Sequence, residues 1–117
     1  MAKAKVSYSP NHKVVLDSIL LVIPGVTAGK MFGLPAYFIG KKLFACVYGA
    51  GVGLKLATEL AEELLARPDV IPFQPYGKTR MNNWVQINRS HSEDYAEDAP
   101  VFRASVDYVR QLSKKDK

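Results

Sequence analysis

The sequence predicts an α+β domain with a mainly antiparallel sheet, in the order α-β(4)-α-β(2)-α. Two observations carry this. Helical periodicity occurs in three separated stretches, after Ser9-Pro10, after Thr58 and after Asp98. Between them lie short apolar segments bounded by glycine and proline, four before the second helix and two after it. Runs segregated in this way indicate α+β rather than a regular alternation of strand and helix. With 117 residues, the chain is expected to be one domain, 1–117, with an ordered core over about 10–112 and flexible basic ends.

Each element has a local cause. Ser9 caps the first helix and Pro10 takes its first position. Val15, Ile19 and Val22 fall on one face with Leu16 and Leu20 beside them, and Pro24-Gly25 stops it. Val26 to Phe32 reads as a strand broken by Gly33-Leu34-Pro35, and Ala36 to Ile39 as a second. Gly40-Lys41 fits a two-residue hairpin of the glycine-first type, leading to a third strand, Lys42 to Tyr48. The glycines 49, 51 and 53 turn the chain into a fourth, Val52 to Leu56. Thr58 then caps a helix with Leu60, Leu64 and Leu65 on its apolar face and Glu59, Glu62 and Glu63 near its start, where the dipole favours them. Pro68 ends it. Val70 to Phe73 and Trp84 to Ile87 are strands separated by a polar loop. Asp98 caps the last helix, with Pro100 in its first turn and a stripe of Phe102, Val106 and Val109.

The central strands are apolar on both faces. In the third, Leu43, Ala45 and Val47 oppose Phe44, Cys46 and Tyr48. A sheet with helices on one side only should show polar residues on the other. Either the helices wrap both faces, or a partner or second subunit covers the bare one. Self-association as a homodimer is therefore expected.

Composition excludes several classes. The single Cys46 sits in an apolar run, cannot form an internal disulfide and reads as a small buried hydrophobe. The first ten residues lack an apolar signal core, and the longest apolar run, Ile19 to Val26, is far short of the ~20 residues that span a bilayer. A cytoplasmic protein without membrane contact is expected. Net charge is +5, with seven lysines against Asp17 alone in residues 1–58. Such blocks are usually solvated faces, and a basic excess also permits weak nucleic-acid binding.

No constellation carries chemistry. His12 and His91, with one distant cysteine, do not make a zinc site, and no cofactor or metal is expected. Ser90-His91 with Asp94 is too local for a triad. Gly49, Gly51 and Gly53 join two strands, whereas a phosphate-binding loop joins a strand to a helix, so they read as a turn. The acidic group Glu93, Asp94, Glu97 and Asp98 reads as a solvated loop. Lys41, Lys42, Lys55, Lys78, Arg80 and Arg89, interleaved with Tyr76 and Trp84, are the candidate contacts for single-stranded nucleic acid. Trp84 reads first as a core or interface anchor.

One set of residues points to a family. Lys30-Met31-Phe32-Gly33 closes the first strand, Tyr37-Phe38-Ile39 forms the second, and Gly40-Lys41-Lys42-Leu43-Phe44-Ala45 crosses the hairpin. Leu54-Lys55-Leu56, Pro72-Phe73 and Met81-Asn82-Asn83-Trp84 follow. In their joint order and spacing these resemble the TfoX N-terminal domain family and its relatives of the YjbR type, from about Pro10 to Leu112. The resemblance implies a two-layer α+β fold of the secretion-chaperone-like type. It brings no catalytic residues; Lys30, Met31, Phe32, Gly33 and Trp84 enter as structural motif residues. Members that regulate bacterial natural competence carry a second, C-terminal domain, whereas a stand-alone domain is expected here. The expected function is a non-enzymatic binding or regulatory module acting through contacts with a protein partner. The alternative is weak, sequence-independent nucleic-acid binding.

Overall fold

The structure, a computed structural model, describes residues 8–31, 33–75 and 83–115. The basic ends expected to be flexible fall largely outside these residues. Six strands form one antiparallel sheet: β1 (Val26–Met31), β2 (Leu34–Ile39), β3 (Lys42–Tyr48), β4 (Gly51–Lys55), β5 (Val70–Pro72) and β6 (Trp84–Asn88). Their order across the sheet is β1-β2-β3-β4-β6-β5. Helix α1 (Pro10–Leu20) precedes β1, α2 (Thr58–Leu64) follows β4, and α3 (Ala99–Lys115) follows a 3-10 segment, Ser92–Asp98. The expected α+β class and element order hold.

The pairing register sorts the side chains. Residues directly opposite on antiparallel strands share a face. Tyr37 pairs with Ala45, Ala45 with Leu54, and Leu54 with Val85. Those four join Leu16 and Leu20 of α1, Ala61 and Leu64 of α2, and Phe102, Val106 and Val109 of α3 in one buried cluster. All three helices therefore cover the same face. Phe44 enters that cluster through a bulge: Tyr37 pairs with Ala45 but Phe38 with Leu43, leaving Phe44 as the extra residue. Strict alternation had placed it with Cys46 on the far side.

The far face is covered differently. Phe73, just past β5, stacks on Trp84 at 5.4 Å and meets Tyr48 edge-on at 5.5 Å. It lies directly over Gly53, where an added Cβ would stand 2.7 Å from the ring. Phe73 is 4% exposed and Trp84 6%. The bare-face question thus has a third answer, an aromatic layer from the chain's own β5–β6 region.

Several boundaries differ from expectation. Leu34 and Pro35 belong to β2: Met31 already pairs with Leu34, and the left-handed Gly33 (φ +79°) lies between them. Gly40 is left-handed (φ +60°) while Lys41 is not, as the glycine-first turn requires. Gly51 and Gly53 lie within β4, and only Gly49 (φ +57°) serves the turn. In α2, Ala57 holds the cap position and the helix ends at Leu64, before Pro68. In α1, Ser9 accepts a hydrogen bond from the His12 N–H at 3.2 Å, as a capping residue should. The buried stripe is His12, Leu16 and Leu20, whereas Val22 is 72% exposed beyond the helix end.

Candidate functional site

A cleft lies between the first half of α1 and the segment entering the 3-10 turn. It encloses about 380 Å³ and is lined by Asn11, Val14, Val15, Ser90, His91, Ser92 and Glu93. Behind it stands His12, which the sequence had placed merely near a terminus. It is 5% exposed, and its ring meets Tyr95 edge-on at 5.0 Å. The Nε2 contacts the Ala50 carbonyl at 3.1 Å, and Nδ1 contacts Ser92 Oγ at 2.6 Å. A carbonyl only accepts, so Nε2 donates to it, and in the neutral ring Nδ1 accepts from the Ser92 hydroxyl. His12 thereby ties α1 to the β3–β4 turn and to the 3-10 segment, with both nitrogens occupied. Val14 and Val15 make much of the cleft's α1 wall apolar, while Asn11 and the opposite wall are polar.

Two charge clusters lie elsewhere and are internally satisfied. The Asp98 carboxylate, 2% exposed, accepts from Arg89 Nε at 3.1 Å and Nη2 at 3.0 Å, and from Arg67 Nη1 at 3.3 Å. Arg67 also holds Asp69 through two bonds, at 3.0 and 2.6 Å. The acidic segment is therefore not simply solvated: its last member anchors the start of α3 to the α2–β5 turn and the end of β6. In the second cluster Asp17 accepts from Lys13 Nζ at 2.7 Å and from the Tyr37 hydroxyl at 2.6 Å.

These contacts set the protonation behaviour. The Arg67 hydrogen bond holds the Asp69 carboxyl below its usual range. Burial raises that of Asp17, but the bonds from Lys13 and Tyr37 outweigh it and the net shift is downward. Burial pushes the Tyr37 and Tyr95 phenols up, and pushes the Cys46 thiol up to about 11, leaving it a poor nucleophile. A carboxyl whose folded pKa lies below its unfolded value contributes stability above the unfolded value. That contribution fades as pH falls through the folded one. Acidification from pH 7 to about 3 is thus expected to lower the denaturant midpoint, less steeply in an Asp17→Asn/Asp69→Asn variant. An equally steep fall in that variant would contradict the assignment.

Of the basic residues named from sequence, those described are dispersed. Lys41, Lys42 and Lys55 stand at one end of the sheet. Lys42 pairs with Ile39 on the helix-covered face and Lys55 with Trp84 on the other. Arg89 is at the opposite end, 16% exposed in its side chain and within salt-bridge distance of Asp69, Glu97 and Asp98. Lys30 and Met31 close β1, Lys30 exposed and Met31 half-buried, beside Gly33, whose surroundings are open. Phe32, Tyr76, Lys78, Arg80 and Met81 lie outside the described residues. Among the described residues, no three His, Cys, Asp or Glu side chains gather as a metal-binding group.

The sequence, with the motif from Lys30 to Trp84 along it, matches a known family model. The match is to the TfoX N-terminal domain, over residues 19–109. The chain belongs to the TfoX N-terminal domain family. No curated protein and no solved structure matches it. The family match begins inside α1 and ends inside α3, so it spans the whole sheet.

Proposed function

We propose that this TfoX N-terminal domain is a non-enzymatic binding module working through protein contacts, with the outward side of α1 and the adjoining cleft as its contact surface. One observation carries the reading. Of the four exposed large aliphatic residues among those described, Val14 (68%), Leu21 (40%), Val22 (72%) and Ile71 (43%), three belong to α1 or its immediate end. Val14 and Ser18 lie on the side of α1 opposite the buried His12, Leu16 and Leu20, and Leu21 and Val22 follow the helix end. Val14 lines the cleft, and Leu21 and Val22 add exposed apolar surface at the far end of α1, which supports reading this side as a recognition surface.

Family membership supports a regulatory setting, since the competence regulators it resembles carry the same domain. The chemistry agrees: both His12 nitrogens are occupied, Asp98 is neutralised, and the Cys46 thiol is hard to ionise. Nucleic acid is the weaker reading, because Arg89 is committed to carboxylates and Lys42 and Lys55 face opposite sides of the sheet.

The test compares proteins retained from host cytosol by the immobilised wild-type domain and by a Val14→Glu/Val22→Glu variant. Both sites are exposed, so stability should change by no more than about 0.5 kcal/mol. Loss of one or more specifically retained proteins in the variant is expected. An identical retention pattern, with folding intact, would refute the surface.

A further inference from the structure

The two edges of the sheet differ. At one edge, β5 has three residues and ends in Pro72, which has no N–H to offer. At the other, β1 runs for six residues without proline, with Thr27, Ala28, Gly29 and Lys30 exposed. The sheet's bulge lies between β2 and β3, so β1 stays regular. Its one charge is Lys30. Sheets ordinarily protect such an edge with proline, a bulge, several charges or a covering loop.

The direction of the unused backbone groups can be read. The Val26 N–H turns away from β2 and bonds the Ile23 carbonyl at 3.1 Å. By strand alternation, Ala28 and Lys30 then aim their N–H and C=O groups outward as Val26 does.

We propose that β1 pairs antiparallel with β1 of a second copy of this chain, around a two-fold axis through Ala28. The axis must be perpendicular to the sheet, so opposed residues share a face and the axis passes through a residue rather than between two. Centring on Ala28 sets Ala28 against Ala28 and Lys30 against Val26. About four inter-strand hydrogen bonds form, because the Val26 N–H is already taken. The lysines then lie four residues apart along the ladder, about 13 Å, beyond the screening length at physiological salt. Centring on Gly29 would place them diagonally, about 7–8 Å apart, which disfavours that register. Ala28 and Gly29 are small, so the strands approach without steric opposition. A ladder of this length buries less than the ~1,200 Å² of a standard interface, which makes the dimer weak and favours covalent trapping as the readout.

The experiment is oxidative cross-linking of Ala28→Cys at tens of micromolar. An opposed hydrogen-bonded pair has Cα atoms ~5.5 Å apart, within disulfide reach. Ala28→Cys should form a covalent dimer at least about tenfold faster than Thr27→Cys or Gly29→Cys. Wild type, whose one thiol is the buried Cys46, should give none. Ala28→Lys, which opposes like charges across the axis, should abolish self-association seen by sedimentation while melting as wild type does. No dimer from Ala28→Cys, faster trapping from Gly29→Cys, or undiminished association of Ala28→Lys would each overturn the proposal.

Discussion

Trp84→Ala is expected to cost ~3–5 kcal/mol, the usual range for truncating a buried aromatic. Domains of this kind have only ~5–15 kcal/mol in total. Trp84 is 6% exposed and stacked on Phe73, which is itself lodged over Gly53 and against Tyr48. Removing the indole exposes one face of Phe73 and opens the layer that seals the far side of the sheet. Equilibrium urea unfolding should show a midpoint well below that of wild type, or the variant should be insoluble. Phe73→Ala should behave alike, and the double variant should fall short of additivity, since an aromatic pair couples by ~0.5–1.5 kcal/mol. If Trp84→Ala melts like wild type but loses a bound partner, the aromatic layer is a binding surface and the assignment fails.

Asp98→Ala is expected to cost a comparable ~3–5 kcal/mol, for an electrostatic reason. The carboxylate is 2% exposed and receives two guanidinium groups. Truncation leaves Arg67 and Arg89 facing each other with Asp69 as their main remaining counter-charge. It also frees the junction of the 3-10 segment with α3. Asp98→Asn keeps the shape but loses the charge, and it should also destabilise. Calorimetry at pH 7 decides: a melting temperature for Asp98→Ala within a degree or two of wild type would mean that the cluster contributes little.

Much of the architecture was legible in the sequence because it rests on local signals. The Ser9-Pro10 cap, the Gly40-Lys41 turn and the Phe102, Val106 and Val109 stripe each act within one turn or hairpin, and each appears as read. What escaped depends on tertiary placement. The bulge that turns Phe44 inward leaves no mark in a strictly apolar run. Phe73 folds across the face only because Gly53, distant in sequence, leaves space for it; a glycine inside a strand was the available sign. Asp98 looked like one acid among four, since its partners Arg67 and Arg89 come from other elements. His12 could be recognised as buried only once Ser92 and Ala50 were beside it. Of the basic residues, sequence spacing alone could not show that Lys42 and Lys55 face opposite ways.

The strand order carries a kinetic consequence. β1 to β4 are joined by short turns, so their pairing closes small loops and is quick to form. β4 then meets β6, which arrives only after α2 and β5 have been traversed. That seam is the sheet's long-range closure, and its entropic cost falls on the barrier to folding. The chain's one tryptophan stands in it, with Trp84 opposite Lys55. Indole fluorescence in a refolding experiment therefore clocks the late joining of the two halves and is silent about the early hairpins.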